Sequence, residues 1–248
     1  MSKCLIVTGG GRGIGAEVSR KAAKQGYSVC VNFHRDQTSA QKLFRELEEE
    51  GANALAYQAD VSREEEVEAL FQTVEKHLGT PEALVNNAGI LDLQTRVDGM
   101  NAERIQRIFA VNVTGSFLCA REAVKRMSSK YGGTGGSIVN LSSGAAKYGS
   151  PGEYVDYAAS KAAIDTLTIG LAKEVAEEGI RVNAVRPGFI DTEIHQSGGE
   201  PDRMERVRPL VPMKRVGQAK EVADAIMWLL SDKASYTTGT ILDVSGGR

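Results

Sequence analysis

In the stretch EYVDYAASK, residues 153–161, Tyr157 and Lys161 stand four residues apart. On a helix that spacing puts both side chains on one face. A phenol beside an ammonium reads as a proton donor with a depressed pKa. A free tyrosine titrates near 10, so working near neutrality requires roughly 4 kcal/mol of phenolate stabilisation. One ammonium at about 4 Å contributes about that much at an effective dielectric near 20. Tyr154 has only Ala158 at the same offset and no charge to meet. The small residues Ala158, Ala159, Ser160, Ala162 and Ala163 favour helix and let another backbone or a flat ligand approach closely. Taken alone, such a pair is more often an ordinary surface feature than a catalytic one.

A second chemical signal is TGGGRGIG at 8–15. Gly9, Gly13 and Gly15, with Ile14 between them, allow a sharp turn and a close approach to a pyrophosphate, whose charge meets a helix N-terminus. The match to a dinucleotide fingerprint is weak by itself; its place in the first strand-to-helix turn strengthens it. The next strand ends in VNFHRDQ, with its tip at Phe33. An acid at such a tip grips ribose hydroxyls and selects NAD. Here His34 and Arg35 follow the tip, and Arg12 lies inside the glycine turn. Two arginines suit a 2′-phosphate, which favours NADP(H). Asp36, next in line, keeps NAD(H) possible.

The elements that must carry these residues alternate along the chain. CLIVT at 4–8, SVCVNF at 28–33, ALAYQ at 54–58, ALVNN at 83–87, SIVNLS at 137–142, IRVNAV at 180–185 and TILDV at 240–244 read as strands. Their two-sided apolar character suits a parallel sheet buried on both faces. Helical patterns fall at about 14–25, 38–50, 64–78, 102–130, 155–178 and 219–231. This rhythm predicts an α/β, doubly wound Rossmann fold: one domain, 1–248, with a seven-stranded, mostly parallel sheet and helices on both faces. KYGGTGG at 130–136 reads as a plain loop, and the polar segment at about 189–218 as a substrate lid.

The motifs now in view resemble one family. TGGGRGIG, NNAG at 86–89, the Asn of VNVTG at 111–115, the Ser of NLSS at 140–143, YAASK at 157–161 and RPGFIDT at 186–192 follow the order of the short-chain dehydrogenases/reductases. The resemblance spans essentially the whole chain and is strongest to single-domain types such as ketoacyl-carrier-protein reductases and sugar dehydrogenases. It implies an NADP(H)-dependent oxidoreductase moving hydride between nicotinamide and a secondary alcohol or ketone. Tyr157 would be the general acid/base, Lys161 its partner and a ligand of the nicotinamide ribose. Ser143, chosen over Ser142 by the family motif, would hold the substrate oxygen, and Asn112 a water leading from Lys161 to solvent. Asp60 and Val61 would contact the adenine, and Asn87, Ala88 and Gly89 the adenosine and ribose. Pro187, Gly188, Ile190 and Thr192 would border the nicotinamide. The interval from Ser143 to Tyr157 is one residue longer than the commonest family spacing, with the extra residue expected in GSPGEYVD at 149–156.

Composition bounds the alternatives. A net charge of −2 over 248 residues gives no electrostatic case for nucleic acid or an anionic membrane. No apolar run approaches the roughly 18 residues needed to span a bilayer. The three cysteines and three histidines show no metal-ligand spacing, and cytosol is the expected compartment. Met100, Met127, Met227 and Trp228 read as core or interface packing. Arg203, Arg206 and Arg208 read as an exposed charged helix rather than an attractor of anionic substrate. Rival functions are a dinucleotide-sensing regulator without chemistry, an NAD-dependent sugar dehydrogenase, and a nucleotide-sugar epimerase, whose usual C-terminal domain has no room here. A homotetramer is implied by the family. Phe109, Val113, Phe117 and Leu118, with Ile164, Leu167, Leu171 and Val175, supply more apolar positions than one core-facing stripe needs, and TGTILDVSGGR would lie at a second interface.

Overall fold

The computed structural model describes residues 3–192 and 203–248. Seven strands form one parallel sheet: β1 (Cys4–Val7), β2 (Ser28–Phe33), β3 (Ala54–Gln58), β4 (Pro81–Asn86), β5 (Gly136–Leu141), β6 (Ile180–Pro187) and β9 (Ile241–Val244). Their spatial order is β3-β2-β1-β4-β5-β6-β9. The order reverses between β1 and β4, so a crevice opens beyond the carboxyl ends of these two strands. Every residue of β1 and β2 is buried, as expected of strands covered on both faces. A further short parallel pair joins β7 (Ile190–Asp191) to β8 (Gly217–Gln218) within the expected lid; residues 193–202 of that lid lie outside the described residues.

One face of the sheet is covered by α1 (Gly13–Lys24), α2 (Gln37–Glu49) and the helix Ala219–Leu230, which bury Val18, Ala22, Leu43, Leu47, Val222 and Ile226 in one apolar layer with residues of β1, β2, β4, β5 and β6. The other receives α3 (Glu64–Leu78), α5 (Gly115–Met127) and α7 (Val155–Val175). In α3 the buried residues Val67, Leu70, Phe71, Val74 and Leu78 recur every three or four positions, the spacing of a helix with one core-facing stripe.

The helix expected over 102–130 is not continuous. It runs as α4 (Ala102–Phe109), a widened π-turn at Ala110–Thr114 and then α5, ending in a single 3₁₀ turn at Ser129–Tyr131. Such insertions mark places where a side chain replaces ladder hydrogen bonds. Here the Ser116 hydroxyl donates to the main-chain oxygen of Asn112 at 3.0 Å, and the Asn112 side chain turns inward. Gly115 lies so close to β3's trailing loop that a Cβ would stand 2.7 Å from Val61 Cγ2 and 3.1 Å from its carbonyl oxygen. The loop at 130–136 is likewise tighter than expected, since a Cβ on Gly133 would stand 2.4 Å from the carbonyl oxygens of Arg126 and Met127. The methionines divide: Met127 and Met227 are buried, whereas Trp228 is 40% exposed and is not core.

Candidate active site

The site begins at the glycine turn. Gly9 sits at φ +60, and a Cβ on Gly15 would stand 2.5 Å from the Gly9 carbonyl oxygen, so both positions demand glycine. The turn is tied to NNAG. The Thr8 hydroxyl accepts the backbone N–H of Asn87 and of Ala88, each at 3.0 Å. The Asn87 amide donates to the Thr8 and Gly9 carbonyls, each at 2.9 Å. Asn32, buried in β2, accepts from the Gly9 N–H at 3.4 Å and donates to Ala59 O at 3.1 Å. These bonds hold open a cleft of about 680 Å³ whose lining includes Gly9, Arg12, Gly13, Ile14, His34, Arg35, Asp60, Val61, Asn87, Ala88, Gly89 and Thr192. Gly15 supports the turn from behind.

At the far end of β2 the acidic residues are already engaged. Asp36 caps α2 by accepting the Ser39 N–H at 3.0 Å, and this bond, with the nearby Arg12, holds its carboxyl below the usual range. Asp60 accepts from the Ser62 N–H at 2.9 Å and hydroxyl at 2.7 Å and faces His34 Nε2 at 3.6 Å. The cleft fits a dinucleotide in its donor set: a helix N-terminus under a glycine turn, with Arg12 and Arg35 in the lining.

A second cavity, of about 380 Å³, adjoins the first and shares Ile14, Asn87, Gly89, Leu91 and Thr192 with it. Ser143, Tyr157, Lys161, Pro187, Gly188 and Ile190 all line it. The two serines after β5 do different things. Ser142 is buried and its hydroxyl donates to the Lys161 main-chain oxygen at 3.2 Å. The Ser143 hydroxyl accepts the Ala145 N–H at 3.1 Å, and Ser143 lines the same cavity as Tyr157. Lys161 Nζ lies 5.7 Å from the centre of the Tyr157 ring and donates to Leu141 O at 2.7 Å. Asn112, wholly buried in its π-turn, accepts the Ile90 N–H at 2.8 Å and donates to Ile90 O at 2.9 Å and to the Ser160 hydroxyl at 3.0 Å. Lys161 and Asn112 converge on Gly89, where a Cβ would meet Lys161 Nζ at 3.4 Å and Asn112 Oδ1 at 3.5 Å.

Two sequence expectations are corrected by this geometry. Tyr157 does not have a depressed pKa: burial raises it, and the neighbouring Ser143 hydroxyl and the charge of Arg203 only partly oppose that. Burial pushes the pKa of Lys161 down to about 8, with Asp165 one turn on pulling the other way. Arg203 is not part of an exposed helix. It belongs to a short turn, Arg203–Val207, is 8% exposed, pairs with Glu153 at 2.7 Å and lies over the Tyr154 ring at 4.9 Å. Tyr154 therefore does meet a charge, from outside its own helix. Arg206 pairs with Glu153 at 3.0 Å, and Arg208 is exposed.

Sequence reasoning also passed over Arg104. It anchors α4 to the first turn of α7 through the buried Asp156 at 2.7 Å, and Asp156 in turn accepts the Tyr157 N–H at 2.9 Å. Asp165 was legible as the next step of the Tyr157–Lys161 spacing. Arg248 and Tyr148, which also line the second cavity, carried no local signal. Among the described residues no group of three or more His, Cys, Asp or Glu gathers as a metal site, and no helix is long and apolar enough to cross a membrane.

A parallel sheet with its crevice at the switch point, a glycine cradle and a Ser–Tyr–Lys group opening on the same cleft define a nicotinamide-dependent oxidoreductase of the α/β class. The chain belongs to the short-chain dehydrogenase/reductase family and is an NAD(P)-dependent enzyme of it. Residues 9–248 match a family profile described as enoyl-(acyl carrier protein) reductase. The chain is 57% identical over 243 residues to YgfF, an uncharacterised oxidoreductase of Escherichia coli, covering 98% of each chain. It is 38% identical over 245 residues to glucose 1-dehydrogenase 2 of Bacillus subtilis, covering 99% of this chain and 94% of that one. It is 35% identical over 249 residues to the 3-oxoacyl-(acyl-carrier-protein) reductase FabG of Staphylococcus aureus, covering 100% and 98% respectively.

Proposed function

We propose that the protein is an NADP(H)-dependent reductase/dehydrogenase of ketones and secondary alcohols, with Tyr157 as general acid/base. The observation that carries the reading is that Ser143, Tyr157 and the buried Lys161 line one cavity that adjoins the glycine cleft. Bound in the larger cleft, the dinucleotide supplies or accepts the hydride at the carbonyl carbon. Ser143 orients the substrate oxygen, and Tyr157 passes its proton to that oxygen as the hydride arrives. Lys161 faces the resulting phenolate and stabilises it. Asn112, fixed on Ile90 and Ser160, shapes the corner beside Gly89 through which a water returns a proton by way of Lys161. The preference for NADP(H) is supported by Arg12 and Arg35 in the cleft lining and by the commitment of Asp36 to capping α2.

The test is nicotinamide absorbance with a panel of ketones, ketoacyl thioesters and sugars, run with both cofactors. Absence of turnover with bound cofactor, across the panel, would return the regulator reading to first place.

The same reading includes a cytoplasmic homotetramer. Ile164, Leu167 and Val175 turn out to face the chain's own core, so they lend no support. Support comes from Ile105, Phe117 and Ile169, exposed at 39%, 50% and 40% along α4, α5 and α7, and from Gly170, beside which a Cβ would meet nothing within 4 Å. Sedimentation equilibrium decides it, and a 26.6 kDa monomer would refute the interface.

A further inference from the structure

One wall of the second cavity is a stack of alternating rings and guanidinium groups. Arg248 lies over Tyr148 at 5.2 Å and over Phe189 at 4.5 Å; Arg203 lies over Phe189 at 5.8 Å and over Tyr154 at 4.9 Å. Phe189 is thus shared by two cations. Their electrostatic situations differ. Arg203 holds Glu153 at 2.7 Å. Arg248 has no ion pair among the described residues, and its Nη1 is withdrawn from water without a hydrogen-bond partner. A desolvated, unpaired guanidinium nitrogen is costly, and the attraction of the two nearby rings offsets that only in part.

The charge of the lining points the same way. Among the described lining residues the side chains of Arg203, Arg206, Arg248 and Lys161 are cationic, and Glu153 supplies the single carboxylate side chain. With two rings packed against its guanidinium, Arg248 is held in place, and the in-plane N–H groups of a guanidinium are the ones that bind a planar carboxylate through two parallel bonds. We propose that the substrate carries a carboxylate as well as its carbonyl or hydroxyl, and that Arg248 receives that carboxylate while the reacting oxygen lies at Ser143 and Tyr157. The substrate class is therefore an oxo acid and the corresponding hydroxy acid. The assignment rests on the reading of Tyr157 as proton donor.

The experiment compares kcat/KM for an oxo acid, its methyl ester and a phosphate-bearing ketone of matched length, in the unmodified protein and in Arg248→Gln, Arg248→Lys and Arg208→Gln. Arg208 is exposed and outside the cavity lining, so it controls for general attraction of anions. The acid is expected to exceed the ester by about 10- to 100-fold, the range for a hydrogen-bonded charge. Arg248→Gln brings that ratio close to one, Arg248→Lys restores part of it, and Arg208→Gln leaves it in place. An ester used as well as the acid, a ratio untouched by Arg248→Gln, or a preference for the phosphate-bearing ketone overturns the proposal. Calorimetric titration of butanoate and of inorganic phosphate into the protein with NADP⁺ separates this from the parent reading. If no carbonyl is turned over, the reductase reading falls, while butanoate binding that disappears in Arg248→Gln still supports the carboxylate site and its absence in the unmodified protein still refutes it.

Discussion

Burial acts in opposite directions on the two central side chains, raising the Tyr157 phenol and lowering Lys161 to about 8. Near neutrality both therefore carry their protons, the state a reductase needs before hydride transfer. The pair loses its first proton as pH rises through about 8, and as a coupled pair that step belongs to both groups. For reduction, kcat/KM is expected to be level below this region and to fall above it. For oxidation, which needs the deprotonated pair, it rises through the same region. Profiles of equal sign in both directions would contradict the assignment. Tyr157→Phe is expected to lower kcat at least 100-fold with cofactor affinity retained, and Tyr154→Phe to be mild by comparison; fluorescence titration of NADPH beside steady-state rates checks both. Arg35→Ala is expected to cost about 10-fold or more in kcat/KM with NADPH and little with NADH, and an equal loss with both would remove Arg35 from the 2′-phosphate. At this scale the sequence was legible wherever partners share a helix or a turn, as Tyr157 and Lys161 do. It was silent where partners meet across the fold. Arg203 reaches Tyr154 and Glu153 from some 50 positions away, and nothing in its own neighbourhood announces that.

Among the elements, the interrupted helix matters most to the site. Over 102–130 the apolar spacing fits one long helix, and the sequence hint was only that VNV is poor in helix formers. The widened turn follows from tertiary contacts: Asn112 must reach Ile90 and Ser160, and Gly115 must clear Val61. A methyl group at Gly115 must displace the Val61 side chain and presses on the Val61 backbone behind it. Gly115→Ala is therefore expected to destabilise by about 1–3 kcal/mol and to weaken cofactor binding, because Val61 lines the cleft. Urea unfolding and the NADPH dissociation constant report the two effects. Unchanged values of both would show that the loop after β3 yields freely. The start of α7 depends on a different contact, the buried Arg104–Asp156 pair. Replacing Arg104 by Met leaves Asp156 buried without its cation, a change that commonly costs about 3–5 kcal/mol. It also loosens the turn that presents Tyr157. Arg104→Met is expected to lower both stability and kcat, and full kcat at unchanged midpoint would deny the pair any positioning role.

Across the whole molecule, the three thiols set the alkaline limit of the fold. Cys4, Cys30 and Cys119 are all free and buried, one on each of β1, β2 and α5. Their place in the apolar layers was legible from their apolar neighbours, though the size of the resulting shift was not. Burial pushes Cys4 and Cys119 up to about 12 and Cys30 well above its ordinary value of 9.0. A group whose folded pKa is raised contributes stability below its unfolded pKa and loses it as pH rises toward the folded one. Each thiol therefore removes about 1.4 kcal/mol of stability per pH unit above pH 9. Lys161 has the opposite sign. Its folded value of about 8 lies below the ordinary 10.5, so between those limits the unfolded chain holds the extra proton and stability rises with pH. Three falling contributions outweigh one rising one, and the net expectation is a midpoint that holds to about pH 9 and then drops steeply. Urea midpoints at pH 8, 9 and 10 test this in the unmodified protein, in a variant with all three cysteines changed to Ala, and in Lys161→Met. The triple variant starts lower, because it loses packed volume, yet its stability is expected to rise between pH 9 and 10, because the Lys161 contribution is then unopposed by the thiols. Lys161→Met is expected to fall more steeply than the unmodified chain, having lost the compensating rise. Parallel curves for all three would mean that the alkaline limit is set by other groups.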